Sequence, residues 1–325
     1  MKLALSLTLL TALLALASLM LGYAPLPPKA VLGGLLGAGD PLHVMVMQEI
    51  RLPRTALAVL VGAALGISGA AMQGYLRNPL AEPGLIGVSG SAALGAVIAL
   101  QTGLAAAFAL ALPLTALLFA LGAVGLILLL AGPRGGSLTL ILAGIAVSAL
   151  AGALTSLALN LSSNPYATFE IVFWMMGSLA DRSLSHLALA APLIALGGAT
   201  LLTLGRGLDA LTLGEDGAQA LGISMTSLRL RLLFGTAAAV GAATAVAGAV
   251  GFVGLVVPHL LRPLCGARPS RLLWASALGG AAMLLTADIA VRLVLPERDL
   301  KLGVVMALIG APLFLHLIYK TRRAG

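Results

Sequence analysis

Residues 52–84 read LPRTALAVLVGAALGISGAAMQGYLRNPLAEPG. The first part, Leu52–Tyr75, carries a single charge, Arg54. About 20 apolar residues in a helix cross the hydrocarbon core of a bilayer. The stretch therefore predicts a transmembrane helix. Gly62, Gly66, Ala70 and Gly74 recur every fourth residue and share one helix face. Small residues in that register let helices approach closely in lipid, where no hydrophobic drive pulls them together. Leu76–Pro83, reading LRNPLAEP, is a short polar connection.

The pattern extends in both directions. Apolar spans are expected at Leu3–Leu21, Leu52–Tyr75, Gly84–Leu100, Leu104–Leu130, Leu138–Leu159, Leu187–Leu204, Leu272–Leu295 and Leu302–Tyr319. Leu3–Leu21 is too long for a signal peptide, and Pro25 and Pro27 stand where cleavage would occur. Phe234–Cys265 is too long for one span and short for two. Gly248, Gly251 and Gly254 near its middle suit a tight hairpin. That gives ten spans; one long kinked helix would give nine. Tyr23–Arg51, Asn160–Ser185 and Gly205–Ser227 read as long loops. The expected fold is all-α, one polytopic membrane domain over residues 1–325. Two further faces repeat the small-residue spacing: Gly87, Ser91, Gly95, Ala99 and Gly144, Ser148, Gly152, Ser156.

Composition agrees. The chain has 325 residues, 60% hydrophobic and 9% charged, with a mean hydropathy of +1.09. Soluble domains carry about 25% charge, so too little polar surface exists here to cover a particle in water. A cytosolic enzyme and a disordered regulator are excluded. The net charge of +8 is scattered singly between apolar runs, which reads as loop charge rather than a nucleic-acid surface. With ten spans, twelve lysines and arginines share the side of the termini and seven lie opposite. Basic loops stay cytoplasmic, so both termini are expected there. Tyr23, Trp174, Trp274 and Tyr319 fall near span ends, as in an aromatic belt.

Chemistry is sparse. Asp288 is the one acidic residue expected inside a span; Arg292 at i+4 can pair with it on the same face. The shortage of buried carboxylates argues against a secondary carrier driven by protons. None of the four lysines follows a glycine, so no phosphate-binding Gly-Lys loop exists, and HExxH is absent. Gly66–Gly69 and Gly87–Gly90 have the GxSG look of an intramembrane protease. Ser68 or Ser89 would then need a histidine base, and His259 is the one deep in a span. One cysteine, Cys265, leaves no internal disulfide and no cysteine metal cluster. No catalytic residue, metal ligand or cofactor is assigned to the chain.

Leu213, Gly214, Glu215, Asp216, Gly217, Ala218, Gln219, Ala220, Leu221, Gly222 and Ile223 read as a short amphipathic helix within the most polar internal segment. Its acids lie at the start, where the helix dipole favours them, and Gly222 stands near the end as a cap. A membrane-surface helix would carry Lys or Arg; this one has none, which points to a protein partner.

These segments resemble the FecCD-type permeases, the membrane subunits of ABC importers for iron chelates, haem and cobalamin. The resemblance is carried by Arg51-Leu-Pro-Arg54, VGAALGISGAAMQG, Arg77-Asn-Pro-Leu-Ala-Glu-Pro-Gly84, LGEDGAQALGI, GFVGLVVPHLLR ending at Arg262, and GVVMALIGAP ending at Pro312. It implies a homodimer of ten-span subunits in the inner membrane. It also implies two cytoplasmic ATPase subunits that bind the ATP, and a periplasmic or lipid-anchored substrate-binding protein. Leu213–Ile223 would be the coupling helix. Arg51, Arg54 and Arg292 match positions facing the acidic knobs of the binding protein. Asn78, Leu80, Ser137 and Leu138 match cytoplasmic gate loops, although Gly132–Gly136 departs from the family's usual composition. Iron–siderophore is the first expectation for the cargo, with cobalamin and haem as alternatives.

Overall fold

Long apolar runs leave their backbone groups no water to bond, so the chain satisfies them internally as helices. The computed structural model describes all residues except Met1, Tyr23, Ala109, 133–135, 163–164, 295–299 and Gly325. Among the described residues there is no strand. The helices are α1 (Lys2–Met20), α2 (Pro28–Leu35), α3 (Pro41–Met45), α4 (Leu52–Leu76), α5 (Val88–Gln101), α6 (Leu104–Ala107), α7 (Ala111–Ala131), α8 (Ser137–Asn160), α9 (Pro165–Met175), α10 (Leu184–Leu202), α11 (Gly205–Leu211), α12 (Glu215–Ala220), α13 (Met225–Ala247), α14 (Val253–Leu261), α15 (Pro269–Val294) and α16 (Leu302–Ala324). A π-helical turn, Val46–Arg51, fuses α3 to α4.

Seven described helices are long and apolar enough to cross a membrane, and Val88–Gln101 and Leu302–Leu315 are shorter apolar helices. The expected stretch does divide into two helices, but unequally. Helix α13 is a full span, the chain breaks at Gly248–Phe252, and α14 has only nine residues. At 1.5 Å per residue it rises about 13 Å, less than half the hydrocarbon core. The break follows from backbone conformation: Gly248 has φ +72° and packs against the Trp174 carbonyl, which a side chain would overlap.

The three long loops are instead partly helical. Pro28, Pro41 and Pro165 are each the first residue of a helix. Proline suits that position because the missing N–H would have no partner there. Helix α13 also starts nine residues before the expected Phe234, because Arg229 and Arg231 lie within it and find acceptors. Of the residues placed near span ends or loops, Tyr23, Arg134, Asn164 and Arg298 lie outside the described residues.

Helices α4 and α13 are the most enclosed spans, while α1 and α10 lie on the periphery. The small face of α4 meets α15 backbone to backbone: a side chain added at Gly66 would overlap the Ser276 carbonyl, and one at Gly280 would overlap the Gly62 carbonyl. Of the other two small faces, Gly95 packs on Thr115 of α7 and Gly87 on Gly144 and Ser148 of α8, whereas Gly152 meets no neighbour.

Candidate functional site

Helix α1 ends at Met20, and its last carbonyls lack intrahelical donors. Two arginines from elsewhere supply them. Arg51, at the end of the π turn, donates from Nη1 to Leu19 O (2.8 Å) and Met20 O (2.9 Å), and from Nη2 to Ala24 O. Arg292 of α15 donates from Nη1 to Ser18 O (2.9 Å) and Leu21 O (2.8 Å), and from Nη2 to Ser18 Oγ (2.6 Å). Cations at a helix C-terminus also match its dipole.

Asp288 joins this group. Its carboxylate, 1% exposed, accepts from Arg292 Nη2 (2.9 Å), as the i+4 spacing predicted, and also from Arg54 Nη2 and Nε (both 2.9 Å). The Arg54 partnership spans 234 positions and has no sequence signal. Two cations thus meet one carboxylate, with Arg51 close by. Arg51, Arg54 and Arg292 line a shared cavity of about 150 Å³ with Gly22, Ala24, Val46 and Ile50. Arg51 and Arg292 are buried, and the Arg54 side chain is 12% exposed.

At the opposite end of α4, Arg77 adopts the left-handed conformation and stops the helix. The Asn78 side chain accepts from Leu80 N (2.9 Å), and Ala81 N donates to Asn78 O (3.1 Å), giving a tight Asx turn. Leu80 is exposed. Ser137 and Leu138 begin α8; Leu138 is 69% exposed, and the Ser137 side chain lies outside the described residues. Helix α8 packs on Pro83–Ile86, the 3₁₀ turn that follows the Asx turn.

Helix α12 occupies Glu215–Ala220, the middle of the expected Leu213–Ile223 segment. It closes as the sequence suggests. Gly222, at φ +82°, donates to Gln219 O (2.8 Å), and Ile223 N to Ala218 O (3.0 Å), a Schellman cap. Ala218 is buried against the body, while Leu213 (70%) and Leu221 (63%) are exposed. The preceding α11 is anchored by Asp209, which accepts from Ser270 N (2.8 Å) and Ser270 Oγ (2.6 Å) and so caps α15. Sequence reading missed this cap. Its signal was the start of α15, where Arg268 is no capping residue and an acceptor must come from elsewhere.

A third group, also missed, sits where α13 breaks. Phe252, at φ +66°, donates its N–H to Glu82 Oε1 (3.1 Å), and its ring lies against Gly310 of α16. Glu82 lines a cavity of about 160 Å³ with Ser89, Pro83 and Gly251. Nearby, Gln73 Nε2 donates to Leu255 O (3.2 Å), and its Oε1 accepts from Arg262 (2.7 Å). Ser68 is fully buried and its Oγ has no hydrogen-bond partner, so no base holds it as a protease nucleophile would require.

The arrangement is that of a helical bundle with charge concentrated at its two ends. Known proteins resemble the chain in sequence and fold. The chain is 41% identical to the hemin transport system permease protein of Yersinia pestis over 84% of its length and 83% of that protein. It is 39% identical to the Fe(3+) dicitrate transport system permease protein of Escherichia coli over 97% of both. It is 40% identical to the vitamin B12 import system permease protein of Salmonella paratyphi A over 98% of this chain and 95% of the other. Among solved structures, one assigned to the metal-chelate type of ABC transporter, in an inward-facing conformation, superposes with a TM-score of 0.87 at 36% identity. That match covers 98% of this chain and 99% of the other. The sequence profile of the FecCD transport family matches residues 9–320, and the chain belongs to that family.

Proposed function

We propose that this chain is the membrane-spanning subunit of an ATP-binding-cassette importer, moving a metal chelate inward across the cell inner membrane. A separate cytoplasmic ATPase supplies the energy, and the chain works as a homodimer with both termini in the cytoplasm. The observation that carries this reading is α12. It is a short capped helix at the more basic end, seated on the body by Ala218 and offering Leu213 and Leu221 outward. Exposed leucines flanking such a helix fit a hydrophobic groove on a partner. Membership of the FecCD transport family supports an ATPase as that partner.

The remaining roles follow. The Asn78–Leu80 turn and the start of α8 at Ser137 and Leu138 form the cytoplasmic gate. Arg54 meets acidic groups of a periplasmic or lipid-anchored binding protein at the outer mouth. Arg51 and Arg292 hold the end of α1 and add their charge to that mouth, which steers docking. The cargo is an iron chelate first, since two of the three relatives are named for haemin or ferric dicitrate, with cobalamin next.

The test is to purify the tagged chain from membranes that also express its ATPase. Vanadate-sensitive ATP hydrolysis should accompany it. The double variant Leu213→Asp, Leu221→Asp should remove at least nine-tenths of that activity while the chain still elutes as a single species. A chain that carries ferric dicitrate on an ion gradient alone, without ATPase, refutes the reading.

A further inference from the structure

Three guanidiniums line the cavity of about 150 Å³ at the Arg54 end of α4, and their donors are unequally used. A guanidinium has five N–H donors. Arg292 has an acceptor for each: Asp288 O (3.3 Å) for Nε, Ser18 O and Leu21 O for Nη1, and Ser18 Oγ and the Asp288 carboxylate for Nη2. Arg51 uses three, on Leu19 O, Met20 O and Ala24 O. Arg54 uses two, both on the Asp288 carboxylate. Among the described residues, two donors of Arg51 and three of Arg54 therefore have no protein acceptor. Neither residue has an unpaired nitrogen sealed from solvent, so these donors face space that an acceptor can enter.

We propose that this cavity is a binding site for a small monovalent anion such as chloride. Arg51, Arg54 and Arg292 bring three positive charges, and Asp288 behind them brings one negative. Among the described residues, no carboxylate lines the cavity itself. A guanidinium cannot shed its proton, so the excess positive charge persists at every working pH. Arg51 and Arg292 are 4% and 5% exposed, so salt screens them poorly, and charge buried without a partner is costly. An anion accepting from Arg51 and Arg54 across the cavity offsets that cost with charge-assisted hydrogen bonds. Ala24, Val46 and Ile50 complete the walls with apolar side chains. That lining disfavours a doubly charged ion, which must shed more hydration to enter. Ala24 and Ile50 are exposed, which gives the ion a way in. The site goes beyond the importer reading and does not depend on it.

The experiment measures the chlorine NMR linewidth of sodium chloride over the full chain in phosphatidylcholine nanodiscs. Sodium gluconate holds the ionic strength constant, and empty nanodiscs supply the baseline. The chain should broaden the line, and the excess should saturate as chloride is raised. Arg54→Met removes three of the spare donors and one charge, and should cut the excess about tenfold. Ile50→Trp keeps every charge but fills the cavity, and should cut it by a similar factor. Lys29→Met removes an exposed cation from α2, which packs on the same π turn, and should leave the excess unchanged. No excess over empty nanodiscs, an excess that survives Arg54→Met or Ile50→Trp, or an equal loss in Lys29→Met overturns the proposal. If Arg54→Met fails to elute as folded protein, Ile50→Trp decides alone.

Discussion

Replacing Asp288 with alanine removes the single anion among three buried or nearly buried cations. Its two salt bridges have N–O distances of 2.9 Å, and the carboxylate is 1% exposed. With charges about 4 Å apart and an effective dielectric near 20, each attraction is about 4 kcal/mol before desolvation. Arg292 retains the Ser18 and Leu21 oxygens after the change, but Arg54 loses the carboxylate that both its Nε and Nη2 engage. Breaking a buried pair from one side typically costs about 3–5 kcal/mol, because the remaining charge is left uncompensated. Asp288→Ala should therefore lower the temperature at which half the detergent-solubilised protein survives size exclusion, by roughly 6–20 °C if about 2–4 °C accompanies each kcal/mol. The double variant Asp288→Ala, Arg54→Met removes the stranded cation and should regain at least half of that loss. Survival within 1 °C of the parent for the single variant, or strictly additive losses in the double one, would refute the reasoning.

Two further perturbations probe the bundle. Gly66→Leu drives a side chain into the Ser276 carbonyl and should prevent recovery of folded protein, whereas Gly122→Ala, with no neighbour within 4 Å, should elute as the parent does. Glu82→Ala takes the acceptor from the left-handed Phe252 and should raise amide exchange over 248–254 at least tenfold; Glu82→Gln, which keeps an acceptor, should change it less than threefold.

What sequence reading recovered had a local cause. LGEDGAQALGI announced its own cap, because the left-handed turn at Gly222 needs only neighbours in the chain. The Asp288–Arg292 pair was likewise visible at i+4. What it left out depends on distant groups or on helix starts. Pro28, Pro41 and Pro165 lie in segments read as long loops but start helices. Arg229 looked like loop charge until Gly132, 97 positions away, supplied its acceptor. Arg51, expected at a docking surface, is buried on the carbonyls that end α1, and that acceptor set forms only when two segments fold together.

The α4–α15 pair has a mechanical consequence. Backbone contact at Gly62, Gly66 and Gly280 leaves little side chain between the two helices to deform. Helix α15, with 26 residues, is about 39 Å long. Asp209 holds one of its ends beside α12, and Arg54 clamps it to α4 near the other. A stiff rod held at both faces acts as a lever: a tilt of about 5° displaces the far end by roughly 3 Å. Motion at either face then reaches the other as displacement, without any residue between them having to change its conformation.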